Sequence, residues 1–120
     1  MSTNSSIRKF VNPSIKLPTM FVHIVIWRLR DDPDNGQSKV DNACQMQAQF
    51  HAMRGHLRGL LRMDCGVDIS RGADSADVAL YTEFVDKAAY DEYYAHPLHL
   101  EIMGFIKGVR AERRVVDYEV

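Results

Sequence analysis

The sequence predicts an α+β domain whose elements run β-α-β-β-α-β, with a four-stranded antiparallel sheet and its helices on one face. Three observations predict it. The run from Phe21 to Leu29 is apolar on both faces of a strand. Two later stretches carry apolar residues at helical spacing, and three shorter runs alternate with a period of two. A chain of 120 residues with 46% hydrophobic content has room for one such domain and one modest core.

The elements follow in chain order. Residues 1–19 open with a Ser/Asn-rich stretch and contain Pro13 and Pro18, so they read as an arm outside the domain proper, which spans residues 20–120. In the first strand, Phe21, His23, Val25, Trp27 and Leu29 share one face, and Val22, Ile24 and Ile26 share the other. Both faces must therefore be covered. The cluster Asp31-Asp32-Pro33-Asp34-Asn35-Gly36 is a turn, after which a helix is expected from about Ser38 to Leu57 with Gly59 as its stop.

Leu61, Met63, Cys65, Val67 and Ile69 then alternate with polar or small residues, the pattern of a half-buried strand. Gly72 to Asp77 is a hairpin loop, and the partner strand runs from Val78 to Val85. Asp86 suits a helix N-cap. Helical spacing runs through Ala89, Tyr90, Tyr93 and Tyr94, breaks at Pro97, and resumes from Leu98 to about Val109. The basic run Arg110 to Arg114 reads as a solvated helix end entering a final strand over 113–120. This is the split βαβ order of ferredoxin-like domains. Right-handed crossovers put the helices on one face, so the apolar opposite face is expected to meet a second copy as a homodimer.

A formal charge of −1 with scattered Lys and Arg leaves no basic footprint, so nucleic-acid binding is not expected. No apolar run approaches the length of a membrane span, and no secretory h-region opens the chain. Cys44 and Cys65 lack metal or redox spacing and read as small core residues in a reducing, cytoplasmic setting.

The residues with chemical potential are His23 and the group Tyr93, His96 and His99. The last three stand three apart and share a helix side, subject to the shift introduced by Pro97. If the His23 face of the first strand meets the helices, His23 and His99 share one apolar cavity lined by Val25 and Trp27. Imidazoles there exchange protons near neutral pH, and a tyrosine hydroxyl polarises a carbonyl oxygen. That set suits proton abstraction beside a carbonyl followed by aldol-type condensation, without a cofactor. The same residues also admit a plainer account, with His23 a satisfied core histidine, Tyr93 a core edge and His96-Pro97 a helix-start device. A His-x-x-His metal site with His23 as third ligand lacks a carboxylate or thiolate at ligand spacing.

The strings Phe21-Val22-His23-Ile24-Val25-Ile26-Trp27-Arg28-Leu29, Phe84-Val85-Asp86-Lys87-Ala88-Ala89-Tyr90, Tyr93-Tyr94-Ala95-His96-Pro97-Leu98-His99 and Val116-Asp117-Tyr118 together resemble the stress-responsive dimeric A/B-barrel (Dabb) family. The resemblance covers Met20 to Val120, and the arm lies outside the pattern. It implies a subunit whose sheet packs on its twin's to form a dimeric α/β barrel. Many members have no assigned activity, so the resemblance implies a dimer without an assignable reaction that binds a small apolar ligand. Polyketide-cyclising members would place catalytic roles on His23, Tyr93 and His99, with His96 as a neighbouring orienter and a carbonyl-bearing substrate. A cofactor-free monooxygenase-like barrel is a third possibility.

Overall fold

The computed structural model describes residues 19–120, so most of the arm expected over 1–19 lies outside the described residues. The body consists of β1 (Phe21–Leu29), α1 (Lys39–Ala52), β2 (Leu60–Val67), β3 (Val78–Phe84), α2 (Lys87–Ala95), α3 (Pro97–Val109) and β4 (Arg110–Glu119). The strands form one antiparallel sheet in the order β2-β3-β1-β4. This is the ferredoxin-like arrangement, and it places β1 centrally against both β3 and β4.

The register decides what the site contains. His23 lies opposite Thr82 on β3 and Asp117 on β4, and Trp27 lies opposite Val78 and Arg113. Directly opposed residues project to the same face, so these groups share the side of the sheet that meets the helices. Phe21, Val25, Trp27 and Leu29 of β1 join Ala43, Met46 and Phe50 of α1 and Ile102, Ile106 and Val109 of α3 in one buried core. Each large side chain so buried contributes about 1.5–3 kcal/mol. The alternate face keeps Ile26, Val116 and Tyr118 exposed.

Several boundaries differ from the sequence expectation for identifiable reasons. Ser38 caps α1 by accepting from the Asp41 N–H, as its position suggests, but the helix ends at Ala52 and not near Leu57. The chain leaves through a turn in which Gly55 adopts φ 82°, a left-handed conformation that glycine takes without a Cβ penalty. Gly59, expected as the stop, instead sits at φ 79° where the chain passes Ala89 and Val85. The helix end in the Arg110–Arg114 run is Arg110 alone, which caps α3 and also begins β4, so the final strand starts three residues before the expected 113. Cys65 is buried as expected, whereas Cys44 is exposed and not part of the core.

The outer edge of β2 is covered by side chains from α1 and its exit turn. Gln47 Nε2 donates to the Cys65 carbonyl, the Cys65 N–H donates to His51 Nε2, and Arg54 Nε donates to the Met63 carbonyl. Free backbone groups on that edge are thereby withdrawn from pairing with another strand. Among the described residues no helix is long and apolar enough to cross a membrane.

Candidate functional site

Asp86 starts α2 by accepting from the Ala89 N–H, and the helix runs only to Ala95. His96 then adopts extended backbone, and its Nδ1 accepts from the Leu98 N–H at 3.1 Å, so it caps α3, whose first residue is Pro97. The break divides the Tyr93-to-His99 string between two helices. Tyr93 and His99 face inward with ring centroids 4.4 Å apart, while His96 stays at the helix junction and does not line the cavity. His96 therefore holds the start of α3, the helix that carries His99.

His99 is buried, and its Nδ1 lies 2.9 Å from the Tyr94 carbonyl oxygen. A carbonyl only accepts, so Nδ1 carries the proton and the neutral ring keeps a lone pair on Nε2. Burial pushes the His99 pKa below its ordinary value, with His23 and Arg113 nearby adding in the same direction. This keeps the ring neutral at pH 7.

His23 repeats the arrangement on the sheet. Its Nδ1 stands 2.5 Å from Asp117 Oδ1, a carboxylate that accepts the Nδ1 proton, and Nε2 is again the free nitrogen. Its pKa is lowered by burial, against which the Asp117 hydrogen bond and charge pull upward. Thr82 Oγ1 donates to the His23 carbonyl at 2.7 Å and anchors the strand beneath the ring. His23 and Tyr93 have ring centroids 6.4 Å apart, so the Tyr93 ring neighbours both imidazoles.

The Tyr93 hydroxyl is buried and has no hydrogen-bond partner among the described residues. The indole N–H of Trp27, stacked on Phe50 with centroids 5.7 Å apart, is in the same condition. An unpaired buried donor costs about 1–3 kcal/mol, and the cost is recovered when an acceptor arrives. Burial also raises the Tyr93 pKa far above the ordinary phenol value, so the hydroxyl keeps its proton.

These groups surround one cavity of about 190 Å³, lined by His23, Val25, Trp27, Tyr93 and His99 together with apolar residues of α1 and α3 and basic residues near the end of α3 and on β4. The five residues that the sequence assigned to catalysis or to the lining thus come together, and His96 does not join them. Sequence reasoning missed Asp117 as the partner of His23. The β1–β4 pairing was the available signal, since it puts Asp117 opposite His23, but a register is not written in either strand alone. Among the described residues no group of three His, Cys, Asp or Glu side chains is placed to hold a metal ion.

A family model described as the stress responsive A/B barrel domain matches residues 21–120. No protein of curated function matches the chain. Among solved structures, a dimeric ferredoxin-like protein of unknown function from Bacteroides fragilis is 26% identical with a TM-score of 0.74, covering 84% of this chain and 96% of that one. A hydroxynitrile lyase from Passiflora edulis is 20% identical with a TM-score of 0.67, covering 87% of this chain and 95% of the lyase. A proposed antibiotic biosynthesis monooxygenase from Nitrosomonas europaea is 18% identical with a TM-score of 0.68, covering 88% and 94%. The last two likenesses are in fold.

Proposed function

The chain belongs to the stress responsive A/B barrel domain family, and from that premise we propose that it works as a homodimer whose pocket binds a small carbonyl-bearing apolar compound and moves a proton on it. The observation that carries this reading is the pair of imidazoles whose Nδ1 atoms are held by Asp117 and the Tyr94 carbonyl, beside an unpartnered Tyr93 hydroxyl. The dimer is supported by the exposed apolar residues on the outer sheet face and by the dimeric Bacteroides fragilis relative.

In this reading His99 Nε2 is the base. It takes a proton from the carbon next to a carbonyl, and the C–H electron pair moves into an enolate. The Tyr93 O–H donates a hydrogen bond to the oxygen on which charge develops. The enolate carbon attacks a second carbonyl of the same molecule, and the His99 imidazolium returns its proton to the resulting alkoxide. His23, steadied by Asp117, offers a second hydrogen-bonding nitrogen across the cavity. The reaction class is that of a lyase or cyclase using side chains alone. A cavity of about 190 Å³ is below the common range of about 300–1,000 Å³ for ligand sites, so a single-ring molecule is the natural size.

Deuterium exchange at the methyl group of acetophenone in heavy water reads the proton transfer directly. The wild-type protein is expected to accelerate exchange, and His99→Ala to reduce that acceleration about 10²-fold or more while its melting temperature and dimerisation persist. Exchange that is unaccelerated by the wild type, or equal in the folded variant, would make the pocket a binding or structural feature only.

A further inference from the structure

Apart from the acceptor Nε2 atoms of His23 and His99, the charged side chains that line the cavity are all of one sign. Trp27 and Tyr93 present donors without partners, and Lys107, Arg110 and Arg113 line the same cavity, whereas no Asp or Glu side chain does so among the described residues. Arg28, Arg30, Lys39, Arg54, Arg62, Lys87 and Arg114 each have a carboxylate partner. Lys107, Arg110 and Arg113 have none among the described residues, nor do Arg58 and Arg71, but only the first three gather at one cavity.

A helix C-terminus favours cations, which accounts for Lys107 in the last turn of α3 and Arg110 at its cap. It does not account for Arg113. That residue lies on β4 opposite Trp27, on the face turned to the cavity, and its charge acts on His23, Tyr93 and His99. Arg113 and Asp117 are four residues apart on β4, about 13 Å between their Cα atoms. The reach of an arginine shortens that gap to what one ring with a short acid arm can span.

Resting on the reading that this cavity takes a carbonyl compound, we propose that its ligand is an amphipathic carboxylate: an apolar, single-ring body held between Trp27, Phe50, Ile102 and Ile106, with an anionic arm paired to Arg113 at the mouth. Lys107 and Arg110 strengthen the same field. The unpaired Trp27 N–H and Tyr93 O–H give the ligand's oxygens their other partners. Neutral ligands of the same shape leave the cations unpaired and bind more weakly.

The test compares 4-oxo-4-phenylbutanoate with its methyl ester by isothermal titration calorimetry, with the His23 and His99 ring resonances reporting that each ligand occupies this cavity. The acid is expected to bind about tenfold more tightly than the ester, a preference that shrinks as NaCl rises from about 0.05 to about 0.5 M. Arg113→Gln is expected to abolish the preference by weakening the acid far more than the ester. Because Arg113 is exposed, the variant should fold, and Lys107→Gln with Arg110→Gln is expected to shrink the preference without abolishing it. Equal binding of acid and ester by the wild type, or a preference that survives all three substitutions, overturns the anionic ligand and leaves the carbonyl pocket standing. Failure of both compounds to bind overturns the pocket reading and this inference with it.

Discussion

His23 and His99 show how a buried ring acquires a defined reactive nitrogen. Each has one nitrogen tied to an acceptor, Asp117 in one case and the Tyr94 carbonyl in the other, so the tautomer follows from the acceptor. Burial lowers both pKa values below 6.5. Between those lowered values and 6.5 the unfolded chain binds more protons than the folded one, so stability present above pH 6.5 falls as the pH drops through that window. Asp117 limits the loss by pulling the His23 pKa upward. Asp117→Asn keeps an oxygen acceptor but removes the charge, and the His23 pKa should fall further. The cost to stability at pH 5.5 relative to pH 7.5 should grow by about 0.5–1 kcal/mol, a modest figure because Asp117 is partly exposed. Urea unfolding at the two pH values, with the His23 resonance titrated in parallel, checks this. A His23 pKa unchanged in the variant would remove Asp117 from the pair.

At the scale of elements, the site depends on where helices stop. The break between α2 and α3 turns Tyr93 and His99 toward each other, and His96 with Pro97 produces that break. Gly59 controls the approach of the β2 entry to α2. A Cβ there would stand 2.5 Å from the Ala89 Cβ and 3.1 Å from Val85 Cγ2, at a φ of 79°. Gly59→Ala therefore carries both a left-handed backbone penalty and a clash, about 3 kcal/mol together. Gly55 has a similar φ of 82° but nothing within 4 Å of the added Cβ. Gly55→Ala should cost only about 1 kcal/mol. Chemical denaturation of the two variants separates the terms, and equal losses would show that packing against Ala89 is irrelevant.

At the scale of the whole molecule, the sheet has one covered face and one that is only partly covered. Ile26 at 43% and Val116 at 58% exposure lie on the outer face, near the Arg28–Glu112–Arg114 ion pairs. Apolar residues exposed side by side on neighbouring strands mark an interaction surface. If the proposed homodimer uses this face, Val116→Asp buries an unpaired charge in the interface and should convert the dimer to monomer in light scattering after size exclusion. A variant that remains fully dimeric would place the interface elsewhere.

The sequence by itself determined the element order, the Asp86 cap, the helix restart at His96-Pro97 and which residues of Phe21–Leu29 share a face, because caps and periodicities are local properties of a few residues; which of those faces meets the helices was decided by the packing. It also supplied the strings by which the family is recognised. The tertiary structure decided the early end of α1, the start of β4 at Arg110 and the exposure of Cys44, each set by how separate segments pack. It alone paired His23 with Asp117 and placed Arg113 beside the cavity. Those placements follow from the register of strands nearly the whole chain apart, which no window of sequence contains.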